Sequence, residues 1–245
     1  MGGLSDAIRF VALAAQEIAD GDVCFVGIGV PSLAAIAAKR RHAPHAVLIY
    51  ESGAVDADPP VPPLSTGSPS VVANTAMVIS CLGVFSMLQQ GRFDLGLLSA
   101  AQVDRYGNLN STELARAGRP SVRLVGSGGA SDIAALARAT VILMPHDHRR
   151  FVERVDFVTS PGLADQPGAH AAIPARGGGP RALITPRARF TFEAGELTLE
   201  ALAQGFTEAD AVDIMPWPVR RAASVRSLPP IDETMARTAQ DLLDA

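Results

Sequence analysis

The chain has 245 residues, of which 48% are hydrophobic and 19% are charged, and its formal net charge is −4. This composition excludes a disordered chain, and the negative charge argues against a general nucleic-acid-binding surface. The length fits one or two domains. Lys39 is the only lysine, so cationic recognition must depend on arginine.

The sequence predicts a soluble cytoplasmic protein. Residues 1–15 carry Asp6 and lack the basic region that precedes the apolar stretch of a signal peptide. Residues 59–90 carry no charge, but prolines and polar residues interrupt them, so we predict no membrane span. Cys24 and Cys81 lie in separate apolar runs without metal-binding spacing, which predicts two buried thiols.

The first fifty residues alternate helical and strand patterns. A helix capped by Ser5 is expected to end at Gly21, and a strand covers 23–26. A glycine turn then leads to a helix from Pro31 to about residue 41. The apolar run 47–50 is a second strand, so this part of the chain is a βαβ unit with a leading helix.

The rest of the chain continues the α/β pattern. We predict a turn at Gly107-Asn108, a proline-rich loop at 56–70 and a mobile loop at 166–180. Helices are predicted at 73–90, 132–138 and 232–243, and strands at 95–99, 122–125, 141–144, 155–159, 182–184, 189–192 and 197–199. The sequence therefore predicts an α/β fold with an open, mostly parallel sheet flanked by helices. We expect a single domain over residues 1–245, less regular from about residue 160.

A carboxylate stands at the end of the second strand. Glu51 is followed by Ser52 and by Gly53, which permits an unusual backbone angle. Ligands of open α/β sheets bind outside the carboxyl ends of the strands. The glycine-rich loops 27–31 and 126–130 also follow predicted strands, so we expect all three at one edge. A carboxylate between such loops suits a nucleophile with backbone donors for an oxyanion, whereas a lone glutamate more often only caps a turn.

Other motifs allow other functions. Residues 27–32 are a partial dinucleotide-binding motif with Glu51 as the ribose acid, but Ser32 replaces its last glycine. His146 and His148 are a weak candidate for a metal pair because no third ligand is evident, so we predict no metal site. Arg149 and Arg150 suit a phosphate or a solvated strand end. Trp217, between two prolines, is predicted to pack in the core.

Five motifs in order resemble the β subunit of class I CoA-transferases, and within that family the glutaconate CoA-transferases. They are Val26-Gly27-Ile28-Gly29-Val30-Pro31, Glu51-Ser52-Gly53, the segment Ala101 to Thr112, Gly126-Ser127-Gly128-Gly129-Ala130 and Val158-Thr159-Ser160-Pro161-Gly162. Together they cover roughly residues 5 to 200.

The resemblance implies the fold shared by CoA-transferases and ribose-phosphate isomerases. It also implies that Glu51 attacks an acyl-CoA thioester and becomes a glutamyl-CoA thioester, from which a second acid takes coenzyme A. Coenzyme A would then be a substrate, without a further cofactor, and a separate α subunit would complete the enzyme. The residues implied in oxyanion or coenzyme A binding are Gly27, Gly29, Ser52, Gly53, Gln102, Gly128, Gly129 and Ala130.

The sequence departs from the family pattern at Ser99-Ala100, where two glycines are expected, and matches it loosely after Phe206. Two alternatives to a transferase follow from the same resemblance. One is a CoA-ester or β-diketone hydrolase of the steroid-ring-degradation type, a branch that lacks the catalytic glutamate. The other is a chain that binds acyl-CoA without turnover. The presence of Glu51 favours the transferase.

Overall fold

A computed structural model of the chain describes residues 4–116, 118–163, 166 and 177–245. The described residues form six α-helices: α1 (Asp6–Ala15), α2 (Val30–Arg41), α3 (Cys81–Gln89), α4 (Ala130–Leu136), α5 (Glu208–Val212) and α6 (Glu233–Asp244). Ser5 caps α1 as predicted, accepting the amide of Ile8 at 3.3 Å. The helix ends at Ala15, however, and Gly21 lies in the turn that follows it.

Fourteen strands complete the described part of the fold. They are β1 (Val23–Val26), β2 (Val47–Ile49), β3 (Ala54–Val55), β4 (Met77–Val78), β5 (Leu95–Leu98), β6 (Gln102–Val103), β7 (Leu109–Asn110), β8 (Glu113–Arg116), β9 (Arg119–Arg123), β10 (Ala139–Leu143), β11 (Pro180–Ile184), β12 (Ala188–Thr191), β13 (Thr198–Leu202) and β14 (Arg220–Ser227). Ten of them form one sheet in the order β14-β13-β12-β11-β10-β5-β1-β2-β3-β4.

The centre of this sheet is parallel. Strands β2, β1, β5, β10 and β11 run in one direction, so their carboxyl ends open at a single edge. Antiparallel strands extend the sheet on both sides, at β12 and at β3–β4. The sheet is mixed but mostly parallel, which confirms the predicted fold class. The single-domain organisation stays a prediction.

Alternating side chains of the parallel strands divide the core between the two faces of the sheet. Cys24 and Val26 join the cluster formed with α1, α2 and α6, whereas Phe25 packs into the cluster on the other side. Burial raises the pKa of the Cys24 thiol to about 12, and nearby Asp22 adds to the effect. Cys24 is therefore an inert core residue, as predicted.

The predicted helix over residues 73–90 is wrong in its first half. Met77 and Val78 pair with β3 as an edge strand, and the helix begins only after Ser80, which accepts the amide of Gly83 at 3.1 Å. The helix start leaves Cys81 exposed, so the prediction that this thiol is buried is also wrong.

Three further expectations differ from the structure. The predicted strand 122–125 overlaps β9, which pairs with β8 in a hairpin outside the main sheet. Residues 155–159 form no strand. The segment pairs with β7 only at an isolated bridge between Ser160 and Leu109. Helix α5 and strand β14 were not predicted from the sequence. Both lie after Phe206, where the match to the family pattern is loose.

The mobile loop predicted at 166–180 lies outside the described residues except for Gln166 and residues 177–180. No helix in the described ranges is long and apolar enough to cross a membrane.

Candidate active site

Glu51 lies at the tip of a tight turn between β2 and β3. The amide of Tyr50 donates to the carbonyl of Ala54 at 3.0 Å, and the amide of Gly53 donates to the carbonyl of Tyr50 at 2.9 Å. These bonds close the turn and leave Glu51 half-buried and Ser52 exposed. The carboxylate therefore stands at the edge where the parallel strands end, as the sequence predicted.

Gly53 is required by this turn for two reasons. Its φ of 114° lies in the left-handed region, and an added Cβ would lie 1.8 Å from the carbonyl oxygen of Ile79. The amide of Ile79 also donates to the carbonyl of Gly53 at 2.9 Å. The turn is thus packed backbone to backbone against the segment that leads into α3.

A buried hydroxyl pair joins the turn to the start of α2. The Tyr50 hydroxyl lies 2.7 Å from the Ser32 hydroxyl, and both side chains are buried. Burial raises the pKa of Tyr50 to about 12, so the phenol remains protonated at neutral pH. Gly29 caps α2 with a φ of 79°, so the predicted loop at Gly27 and Gly29 is fixed at the same edge as Glu51.

The second glycine-rich loop lies beside the carboxylate. A Cβ at Gly129 would lie 3.4 Å from Oε2 of Glu51, and one at Gly128 would lie 3.8 Å away. Phe85 closes the other side of Gly129, with its Cζ 2.8 Å from the same added Cβ. Any larger residue at position 129 would therefore collide with the aromatic ring and crowd the carboxylate.

The amides of this loop differ in their bonding. Ala130 donates its amide to the carbonyl of Ser127 at 2.8 Å, so that donor is occupied. The amides of Gly128 and Gly129 have no acceptor among the described residues. Of the three predicted donors, these two can serve a negatively charged oxygen near Glu51.

The side chain of Gln102 forms hydrogen bonds within the fold. Its carbonyl oxygen accepts from Asn110 at 2.7 Å, and its amide nitrogen donates to Asp156 at 2.8 Å. Both ends of the side chain are therefore used to join β6, β7 and the segment after β10. The role of Gln102 in substrate binding stays a prediction.

A buried carboxylate holds the predicted turn at Gly107-Asn108. Asp104 accepts from the amide of Tyr106 at 3.0 Å and from the amide and side chain of Asn108. Burial raises its pKa despite these bonds. Hydrogen bonds to this carboxylate thus hold the fold of segment 101–112, which resembles the family motif.

The side chains of residues 146–150 differ in their burial and in their partners. Burial and nearby Arg187 lower the pKa of His146 to about 4, whereas His148 is exposed. Arg149 pairs with Asp147 at 2.5 Å and holds the pKa of that carboxyl far below its usual value. No cluster of three or more metal-ligating side chains occurs within the described ranges.

Arg150 instead borders a cleft beside the strand edge. The cleft has a volume of about 580 Å³ and is lined by residues 99–101, Ser111, residues 123–125 and Arg150. Ser99 and Ala100, where the sequence departs from the family pattern, line it directly after β5. Trp217 lies outside this region and is buried in the core, as predicted.

The sequence matches the coenzyme A transferase family over residues 8–176. The chain belongs to that family. It is 39% identical to the B subunit of 3-oxoadipate CoA-transferase from Pseudomonas knackmussii, a match that covers 99% of this chain and 92% of the relative. It is 35% identical to the B subunit of glutaconate CoA-transferase from Acidaminococcus fermentans, over 73% of this chain and 69% of the relative.

The fold agrees with this assignment. The crystal structure of glutaconate CoA-transferase from Acidaminococcus fermentans superposes with a TM-score of 0.86, over 97% of this chain and 94% of that chain, at 28% identity. The predicted resemblance to CoA-transferase β subunits, and the prediction of an enzyme, are confirmed. Because both relatives are named as the B chain of their enzyme, a second kind of chain is implied.

The Gly53→Ala variant tests the backbone contact that positions Glu51. We expect the free energy of unfolding to fall by about 2 kcal/mol or more in urea titrations, because backbone strain and the collision with Ile79 act together. Gly21→Ala is the control, since Gly21 also has a positive φ of 87° but no atom within 4 Å of an added Cβ. It should lose only the cost of the left-handed backbone, about 1 kcal/mol. Equal losses in the two variants would contradict the role of Ile79.

His146 predicts a specific sensitivity to acid. Its pKa is about 4 in the folded chain, below the usual value of about 6.5, so the unfolded state binds more protons between these pH values. Stability should therefore be lost as the pH falls from about 6.5 to about 4. Melting temperatures over this range should fall less steeply in His146→Leu than in the wild type, with His148→Leu as the surface control. Parallel curves for the wild type and His146→Leu would exclude this role.

Proposed function

We propose that this chain is the β subunit of an enzyme that transfers coenzyme A from an acyl-CoA to a carboxylic acid, with Glu51 as the nucleophile. The observation that carries the proposal is the position of the Glu51 carboxylate beside Gly128 and Gly129 at the carboxyl edge of the sheet. A nucleophile and unoccupied backbone donors are the two groups that acyl transfer requires. Membership of the coenzyme A transferase family supports the reaction.

In the first half-reaction, an oxygen of Glu51 attacks the thioester carbonyl of the donor. The bond to sulfur breaks, which gives a mixed anhydride between the acyl group and Glu51, and coenzyme A leaves as its thiolate. The thiolate then attacks the Glu51 carbonyl of the anhydride. This step releases the donor acid as a carboxylate and leaves a glutamyl-CoA thioester on the enzyme.

In the second half-reaction, the acceptor carboxylate attacks the glutamyl thioester and releases the thiolate again. Attack of the thiolate on the acceptor's acyl carbonyl restores Glu51 and forms the new acyl-CoA. Each attack passes through a tetrahedral oxyanion, for which the amides of Gly128 and Gly129 are the proposed donors. We propose the loop at Gly27 and Gly29 and the exposed Ser52 as contacts for coenzyme A.

The state of the Glu51 carboxylate suits this role. No side chain or amide in the described part of the structure donates a hydrogen bond to it, and no cation pairs with it. Its lone pairs are therefore available for attack on a carbonyl carbon. Coenzyme A enters as a substrate, and every bond that changes lies between Glu51, sulfur and the two acids, so the scheme requires no further cofactor.

We extend the substrate class from the relatives to this chain. The names of two of them specify 3-oxoadipate and glutaconate, and each of these acids has two carboxyl groups. The proposed acyl group is therefore that of a dicarboxylic acid.

A separate α subunit is the proposed partner, and the free edge of the sheet is its proposed contact. Met77 and Val78 of β4 are 56% and 61% exposed, and Leu82 at the start of α3 is 76% exposed. An unpaired edge strand with exposed apolar side chains is a surface that proteins normally cover. Because β4 pairs with β3, which carries the Glu51 turn, a partner chain at this edge would also border the carboxylate.

The Glu51→Ala variant tests the nucleophile in the complex of this chain with its α subunit. The wild type, incubated with acyl-CoA and no acceptor, should gain the mass of coenzyme A less water on this chain. The variant should form no such adduct and should lose transfer activity by on the order of 10³-fold or more.

Glu193→Ala serves as the matched control, because it removes an exposed carboxylate from the turn after β12. It should keep both the adduct and the activity. Full transfer by Glu51→Ala would contradict the proposal. Release of free acid without an adduct in the wild type would instead indicate the hydrolase, and binding without turnover would indicate a non-catalytic chain.

The Val78→Lys variant tests the proposed partner surface. A lysine on β4 places a charge within the apolar contact, so we expect the chain to lose co-purification with the α subunit while its own circular dichroism is unchanged. Leu243→Lys makes the same kind of change on α6, where Leu243 is 37% exposed, and should leave the complex intact. A complex that survives Val78→Lys but not Leu243→Lys would move the interface to the helical face.

A further inference from the structure

The cleft defined above lies close to the Glu51 carboxylate. Ser111 on its wall is bonded twice to Gly126, since its carbonyl accepts the Gly126 amide at 2.8 Å and its hydroxyl donates to the Gly126 carbonyl at 2.8 Å. Val125, the neighbour of Gly126, lines the cleft and is three residues before Gly128, where an added Cβ would lie 3.8 Å from Oε2 of Glu51. Three Cα steps span at most about 11 Å, so the rim of the cleft at Val125 is within this distance of the loop beside the carboxylate.

The cleft carries two positive charges without a matching carboxylate. Arg123 and Arg150 both line it, and no aspartate or glutamate does. Within the described ranges neither arginine makes an ion pair. Glu113 lies opposite Arg123 in the β8–β9 ladder, but its carboxylate accepts from the Ser121 hydroxyl at 3.3 Å instead.

The positive charge of this cleft contrasts with the charge of the whole chain. The net charge of the chain is −4, and several arginines elsewhere, such as Arg105, Arg138 and Arg149, pair with neighbouring carboxylates. Two unpaired guanidinium groups beside one cleft therefore form a local positive field in an acidic protein. Such a field attracts an anion to the cleft.

Arg150 is the more firmly held of the two. Its side chain is half-buried and donates from one terminal nitrogen to the carbonyl of Ala100 at 2.8 Å. This bond fixes the guanidinium and leaves further N–H groups for a ligand. Arg123 projects from the exposed β9 hairpin. The pair thus combines Arg150, whose guanidinium is fixed, with Arg123, whose exposed side chain can adjust to a ligand.

We propose that Arg123 and Arg150 bind the distal carboxylate of a dicarboxylic substrate and so select dicarboxylic over monocarboxylic acids. This inference rests on the proposed function for the position of the reacting carboxyl group at Glu51. Arginine is suited to the far carboxylate because its planar N–H groups match two carboxylate oxygens. The apolar side chains of Ala100, Leu124 and Val125 in the same cleft suit the methylene groups between the two carboxyls.

A phosphate of coenzyme A is the competing anion. The pantetheine arm separates the phosphates from the sulfur by many more bonds than separate the two carboxyls of a short dicarboxylic acid. A cleft whose rim lies within about 11 Å of the loop beside Glu51 therefore fits the acid better. The two sources also predict different kinetics, because a phosphate contact would change the Michaelis constant of every acyl-CoA.

The test compares adipate with hexanoate, which has the same chain length and one carboxylate fewer. Both acids are measured by calorimetric binding to the α/β complex and as acceptors in coenzyme A transfer. The wild type should prefer adipate. Arg123→Gln and Arg150→Gln should each weaken adipate about 10- to 100-fold, the loss expected for a hydrogen bond between charged groups, and leave hexanoate unchanged.

Arg119→Gln is the matched control, since Arg119 is exposed on the same strand but does not line the cleft. It should leave both acids unchanged. Arg150→Lys tests the charge apart from the guanidinium that bonds to Ala100. The variant keeps a cation, so it should retain part of the preference for adipate.

An equal loss for both acids in the glutamine variants would overturn the subsite, as would an unchanged preference for adipate. A higher Michaelis constant for acyl-CoA that disappears with 3′-dephospho-CoA would assign the arginines to phosphate instead. Calorimetric binding does not depend on Glu51 chemistry. An adipate preference that requires both arginines, in a complex without transfer activity, would therefore support the subsite while rejecting the transferase.

Discussion

The backbone contact between Gly53 and Ile79 is the constraint on which the position of Glu51 depends. The turn that presents the carboxylate is three residues long, and a Cβ at Gly53 would lie 1.8 Å from the Ile79 carbonyl. The same contact fixes the segment between β4 and α3. Helix α3 in turn carries Phe85 to the opposite side of Gly129. One close approach of two backbones therefore places the proposed nucleophile, the edge strand and one wall of the site together.

Local patterns in the sequence predicted the centre of this arrangement well. The apolar runs that became β1, β2, β5 and β10 were recognisable by their length and composition. Since parallel strands end at one edge, the location of Glu51 followed from its place after such a run. The Ser5 cap and the turn at Gly107-Asn108 also depend on nearby residues, and the structure contains both.

Contacts between distant segments could not be predicted in this way. The loop at Gly128 was expected to follow a strand of the main sheet, yet it follows β9, which belongs to a separate hairpin. It reaches Glu51 because Ser111 holds Gly126 through two hydrogen bonds. The hydrogen bonds of Gln102 are a second example. Its side-chain amide joins three segments of the fold, and no local pattern reveals this.

The site on this chain has the groups that the proposed reaction needs, but it is open to solvent. Glu51 is half-buried, Ser52 is exposed, and the cleft beside them opens to solvent next to Arg123. A carboxylate in water is a weak nucleophile because its negative charge is solvated, and an anhydride in water hydrolyses. The proposed transfer therefore requires that water be excluded from Glu51, which the described residues of this chain leave half-exposed. The exposed apolar side chains of β4 stand one strand away from the Glu51 turn, so a second chain that covers them would also enclose the carboxylate. Under the proposed function, this is a physical reason for dividing the enzyme into two chains, because this chain supplies Glu51 and the second chain would exclude water from it.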